Sequence, residues 1–253
     1  MLQIHYQSNW YEIEYCGIKI IETAFTTKLI KSMLDEHNDN SKLILDNKKI
    51  KWKNVIYINE MTKINDFLSL SKNNHLYKQI IDLIADQSLV NDALIKKIIT
   101  TINQNWNLGE LISEQYDLNK IVLACFELND LGYISDEHFF DLLNQIQYDE
   151  KKLIIFDNVS YINYQKCKKL LNNFNVLVIT TDIRNVISNH SELELCCLLG
   201  DNKCFDIIDS DKLISYLELK LATQIKPEEI NNYLFKKTDF KSQQINFYLK
   251  NLV

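Results

Sequence analysis

Four glycines and one proline in 253 residues constrain this chain more than any motif it carries. Average usage is about 7% glycine and 5% proline. Glycine supplies the positive-φ positions of tight turns and the close backbone approach that phosphate-cradling loops need. A propeller, a Gly-turned sandwich and most nucleotide-binding enzymes are therefore excluded. The rest of the composition is that of a globular protein, 46% apolar and 25% charged, long enough for one large domain or two small ones. Disorder, collagen and a disulfide-dense miniprotein are excluded with it.

The net charge is -6, so the protein as a whole is not a basic nucleic-acid coat. Its positive charge is nearly all lysine, Arg184 being the one arginine. That argues against bidentate guanidinium clamps, while lysine can still neutralise phosphates as a point charge. Cys16, Cys125, Cys167, Cys196, Cys197 and Cys204 show no framework spacing. Met1 to Trp10 do not read as a secretion signal, and no apolar run approaches the roughly 18 residues of a membrane helix. The expectation is a cytoplasmic protein with reduced thiols and no membrane partner.

The hydrophobic period changes along the chain. Gln3–Tyr6, Trp10–Tyr15 and Ile18–Glu22 read as strands. Thr26 or Thr27 then caps a helix with Leu29, Ile30, Met33 and Leu34 on one stripe. Lys42–Leu45, Ile50–Lys53 and Val55–Ile58 are again strand-like. Between Asn65 and Tyr148 the period becomes helical, including a helix of about 17 residues ending near Trp106. Another opens at Asn119 or Asp117, and Ser135 caps a fourth. Leu153–Phe156 and Val176–Ile179 are short continuous apolar runs flanking a helix through Cys167 and Leu170, the pattern of a buried parallel βαβ unit. Cys204–Ile208 reads as a last strand, followed by a helical tail in which Pro227 starts a helix.

The fold expected is α/β. Residues 1–63 and 151–210 form a discontinuous head sharing one sheet, residues 64–150 an inserted helical leg, and residues 211–253 a helical C-terminal extension.

Several constellations invite a chemical reading. Asp157, at the end of an apolar strand, looks like the metal-binding aspartate of a P-loop nucleotide hydrolase, with Thr180 and Thr181 in the sensor position. No GxxxxGK[ST] accompanies them, so nothing grips the phosphates. Glu127–His138 superficially matches a calcium loop, but Leu131 and His138 occupy ligand places, and a helix–glycine–helix corner is the better reading. His190, Cys196, Cys197 and Cys204 lack zinc spacing. Lys42, Lys48, Lys49, Lys51 and Lys53 form a local basic cluster, either a lysine-protected edge strand or a phosphate-binding surface. Glu110, Glu114 and Asp117 share a face if helical, either a solvated acidic face or a seat for a hard divalent cation.

The order of these parts, with KKLIIF (Lys151–Phe156), NVLVIT (Asn175–Thr180), CGIKIIETAFTTKLIKSM (Cys16–Met33) and LILDNKKIKWKNVIYINE (Leu43–Glu60), resembles the Csn-two family of type II-A CRISPR loci. The resemblance implies a degenerate P-loop-like α/β head without the catalytic loop, and a helical leg. It implies a non-enzymatic, ring-shaped homotetramer that takes duplex DNA ends in a lysine-lined hole, with Ca²⁺ supporting the ring. It further implies a role in spacer acquisition beside the integrase subunits and the RNA-guided effector nuclease. On this chain Lys28, Lys31, Lys48, Lys49, Lys51 and Lys53 fall in the family's basic regions, and Glu114 and Asp117 in its leg are the expected calcium ligands. A nucleotide hydrolase using Asp157 and a helical adaptor for a protein partner are the competing readings.

Overall fold

The computed structural model describes residues 1–34, 41–85, 92–106, 117–145, 150–236 and 240–253. The chain divides into two compact units, one of residues 1–61 with 135–253 and one of residues 62–134.

The first unit carries two sheets. β1 (Leu2–Tyr6) and β2 (Asn9–Ile13) form a hairpin whose two turn residues, Gln7 and Ser8, both have positive φ (47° and 68°). That sign suits the twist of a two-residue hairpin turn, here adopted without glycine. Leu2, Ile4 and Tyr6 are buried while Gln3 and His5 between them are half-buried, the period of two expected of a half-covered strand. β4 (Leu43–Leu45) pairs with the other edge of β1, and β5 (Lys48–Lys49) ends the sheet, giving the order β2-β1-β4-β5.

The second sheet is built from β3 (Ile18–Glu22), β6 (Val55–Asn59), β7 (Lys152–Asp157), β8 (Phe174–Thr180), β9 (Cys196–Leu199) and β10 (Cys204–Asp206). Their order is β10-β9-β3-β8-β7-β6, parallel except for β10. β7 and β8 read as unbroken apolar runs because both faces are covered. On one face Leu153, Ile155, Leu177, Ile179 and Cys197 share a core with Leu2, Ile4 and Leu43 of the small sheet. Helix α1 (Thr26–Leu34) contributes Leu29, Ile30 and Met33 to that core. Helix α6 (Tyr164–Leu170), capped by Asn163 accepting from the Lys166 amide, crosses from β7 to β8. The structure is thus α/β, with a parallel-rich sheet and several helices.

The second unit holds α2 (His75–Ala85), α3 (Asp92–Trp106) and α4 (Leu118–Cys125). Asp117, one of the two expected openers of α4, does so through its carbonyl, which accepts from the Ile121 amide at 3.0 Å.

Four features differ from the sequence reading. The head strands do not share one sheet, since β1, β2, β4 and β5 form a separate antiparallel layer. Ile50–Lys53 is not a strand. The turn residues Asp46 and Asn47 (φ 48° and 63°) pair Lys48 with Leu45, so the strand comes earlier and Trp52–Asn54 is a 3-10 turn. Glu127–His138 is no helix–glycine–helix corner: Gly132 has φ 75°, Tyr133 bridges to Lys63, and the Ile134 amide donates to the Thr62 carbonyl. Finally, α5 (Asp136–Gln145) belongs to the sheet-bearing unit, where Phe139 meets Phe156 at 5.4 Å. The C-terminal helices α7 (Ser210–Leu221), α8 (Ile230–Phe235) and α9 (Phe240–Lys250) lie in that unit as well. Leu217, Leu234, Ile245 and Leu249 from them are buried. Among the described residues no helix is long and apolar enough to cross a membrane.

Candidate nucleic-acid interface

The C-terminal edge of a parallel sheet is where α/β folds place ligands. Here β3 passes to α1 through only Thr23, Ala24 and Phe25. The Thr23 amide donates to the Thr180 carbonyl at 2.9 Å, and the Phe25 amide to Thr23 Oγ1 at 3.2 Å. Asn158, with φ 49°, donates from Nδ2 to Thr26 Oγ1 at 3.1 Å and accepts from the Thr181 amide at 3.0 Å. Asp157 accepts the Tyr57 hydroxyl at 2.7 Å. Burial first, and the hydrogen bond to Asp157 second, push Tyr57 up to about 12, so the hydroxyl keeps its proton at physiological pH. These contacts tie the β3–α1 loop to the ends of β7 and β8.

The β3–α1 loop residues Thr23, Ala24 and Phe25 line a cavity of about 460 Å³ together with Glu22, Lys203 and Lys250. Glu22 is buried and accepts the Ile183 amide at 2.7 Å. Burial raises its pKa above the ordinary 4.5, against the lowering effect of that amide. A folded chain that holds this proton more tightly than the unfolded chain is most favoured below the ordinary carboxyl value and loses that contribution as pH climbs through the raised one. Glu22→Gln keeps an acceptor for Ile183 and cannot ionise. Its urea midpoint is expected to fall less than the parent's as pH rises above 4.5; superimposable profiles would refute the assignment.

The other sequence candidates separate. His190 Nδ1 lies 3.2 Å from Asn231 Oδ1, while Cys197 and Cys204 meet Sγ to Sγ at 3.2 Å. Among the described residues no group of three or more His, Cys, Asp or Glu could hold a metal ion. Glu110 and Glu114 lie outside the described residues. Asp117 is exposed, its carboxylate 3.4 Å from the Lys120 amide in the first turn of α4. The described residues therefore supply one carboxylate of the expected calcium pair, which by itself is no calcium site.

The lysines fall into two groups. Lys28 and Lys31 occupy the exposed positions of α1, whose opposite side is in the core; the Lys28 ammonium sits 4.3 Å above the Phe25 ring. Lys48 and Lys49 are exposed on β5, the edge of the small sheet, and Lys51 and Lys53 are exposed just beyond it. Lys51 is engaged within the fold. Helix α1 packs on β1 of the same small sheet, where Ser32 Oγ donates to the His5 carbonyl at 2.8 Å. The two groups thus sit on different elements, one on a helix against the small sheet and the other at and beyond its edge strand. Sequence reasoning missed Lys19, which is 1% exposed in the central strand and ion-paired with Asp206. A lysine inside IKII carries no signal of its burial.

No protein-family model and no curated protein matches the sequence. Among solved structures, the fold is similar to the crystal structure of Stu0660 of Streptococcus thermophilus. The TM-score is 0.65 at 13% identity, covering 99% of this chain and 93% of that one. At that identity the likeness carries the fold alone.

Proposed function

We propose that this protein binds ends of double-stranded DNA without reading sequence, as a ring-shaped homotetramer serving spacer acquisition in the cytoplasm. It makes no catalytic step of its own and acts beside the integrase subunits and the RNA-guided effector nuclease. The observation that carries the reading is the whole-chain likeness of fold to Stu0660, taken together with the Csn-two resemblance of the sequence. Two features support it. The chain has no GxxxxGK[ST] phosphate loop, and Lys28, Lys31, Lys48, Lys49, Lys51 and Lys53 are all exposed. A net charge of -6 is compatible with DNA binding, because local potential decides phosphate contact. Lysine without arginine suits backbone contact better than base-edge recognition.

Fluorescence anisotropy with a blunt linear duplex tests the reading. Affinity should fall steeply and log-linearly with salt and be indifferent to sequence. ATP hydrolysis above background that is lost in Asp157→Asn would favour the hydrolase instead. Absence of DNA affinity at low salt would favour an adaptor. The reading includes Ca²⁺ held through Glu114 and Asp117, an assignment resting on the resemblance. Chelation with EDTA is then expected to lower the assembly mass measured by light scattering, and Glu114→Gln with Asp117→Asn to abolish that response. An assembly indifferent to EDTA would remove calcium from the account.

A further inference from the structure

The antiparallel pairing of β9 with β10 sets Leu199 against Cys204 and Cys197 against Asp206. Cys197 and Cys204 therefore project from the same face as diagonal neighbours. Their sulfurs are 3.2 Å apart, against about 2.04 Å in a disulfide. Cys197 is buried and Cys204 only partly so. The ammonium of Lys19, held on the same face by its ion pair with Asp206, gives the pair a cationic neighbour, the setting in which a thiol loses its proton most easily. The hydrogen bond from the Cys197 thiol lowers the Cys204 pKa, and the same bond, reinforced by burial, raises that of Cys197. Cys167 and Cys196, buried and without a sulfur partner, are pushed upward instead, Cys167 to about 12.

We propose that Cys197 and Cys204 form an oxidation site, in which a hydroperoxide converts the two thiols into a disulfide clamping β9 to β10. Cys204, the more accessible sulfur, attacks the O–O bond as thiolate, expelling hydroxide and becoming a sulfenic acid. Cys197 then attacks the Cys204 sulfur, and the sulfenic hydroxyl leaves with the Cys197 proton as water. In net terms, two thiols and one hydrogen peroxide give one disulfide and two waters, with two electrons passing from sulfur to oxygen. The clamp spans the turn that carries Gly200 and Lys203 beside the cavity, so it acts on the sheet edge and leaves the lysines of α1 and β5 unchanged.

The test is titration of the full-length reduced protein with hydrogen peroxide, followed by alkylation and peptide mapping without reductant. The expected product is a single chain, free of intermolecular links and lighter by two hydrogens, with a Cys197–Cys204 cross-linked peptide and the other four of its six cysteines alkylated. Dithiothreitol restores all of them. In Cys197→Ser, Cys204 should accumulate as a dimedone-trapped sulfenic acid; in Cys204→Ser no intramolecular link should form. Alkylation of both Cys197 and Cys204 while oxidation falls on Cys16 or Cys125, or a Cys204 sulfenic acid that persists in the parent protein, would overturn the proposal.

Discussion

A protein carrying Lys48→Ala, Lys49→Ala and Lys53→Ala is expected to bind linear duplex DNA on the order of 10²-fold more weakly at moderate salt. The magnitude follows from counterion release, in which each phosphate neutralised adds about 0.9 to the slope of log affinity against log salt. Losing three such contacts makes that slope shallower by up to about 3. All three side chains are exposed at or just beyond the edge strand β5, so the fold should survive their truncation. Lys51 is left in place because it is engaged within the fold. The loss should be equal for unrelated DNA sequences, since phosphate contacts carry no base information. Anisotropy titrations at several salt concentrations read both quantities. An unchanged affinity with an unchanged slope would mean that β5 is only a lysine-protected edge and that DNA meets another surface.

The second large effect is structural. Lys19→Met removes the ammonium that compensates the Asp206 carboxylate in the interior, where Lys19 is 1% and Asp206 15% exposed. Breaking such a pair from one side costs about 3–5 kcal/mol, because the remaining charge is buried alone. At roughly 2–4 °C per kcal/mol for a chain of this size, the melting temperature should fall by roughly 10 °C. Asp206→Asn should also destabilise, though it preserves an acceptor for the Glu14 amide that Asp206 Oδ2 takes at 2.7 Å. The double variant Lys19→Met, Asp206→Asn should regain most of the loss, since replacing both charges removes the desolvation penalty along with the attraction. Small, additive single effects in thermal unfolding would show that the pair is solvated.

The parts of this fold that were legible in the sequence are those where one periodicity dominates. Leu153–Phe156 and Val176–Ile179 announced β7 and β8 because a parallel strand covered on both faces cannot alternate. The stripe of Leu29, Ile30 and Met33 announced α1, and all three are buried. The β4–β5 register was not legible, because it depends on Asp46 and Asn47 taking positive φ where glycine would have signalled a turn. β9 is hidden because Cys196 and Cys197 resemble metal ligands in the sequence, although buried cysteine behaves as a small apolar residue. The run from Leu193 through Leu199 was the available signal. The contact of Cys197 with Cys204 follows from the β9–β10 register and cannot be read from their separation along the chain. For the candidate interface, the lysines could be named from the sequence, but their distribution over α1 and β5 required the small sheet to be seen as a layer of its own.

The central claim is that copies of this chain close into a ring over DNA ends. Binding to matched linear and covalently closed circular duplexes, with light scattering on the same samples, tests it most directly. The account predicts a tetramer that is retained on linear DNA and fails to load on circles of the same sequence. A monomer, or a tetramer that binds circles and linear DNA equally, would contradict it.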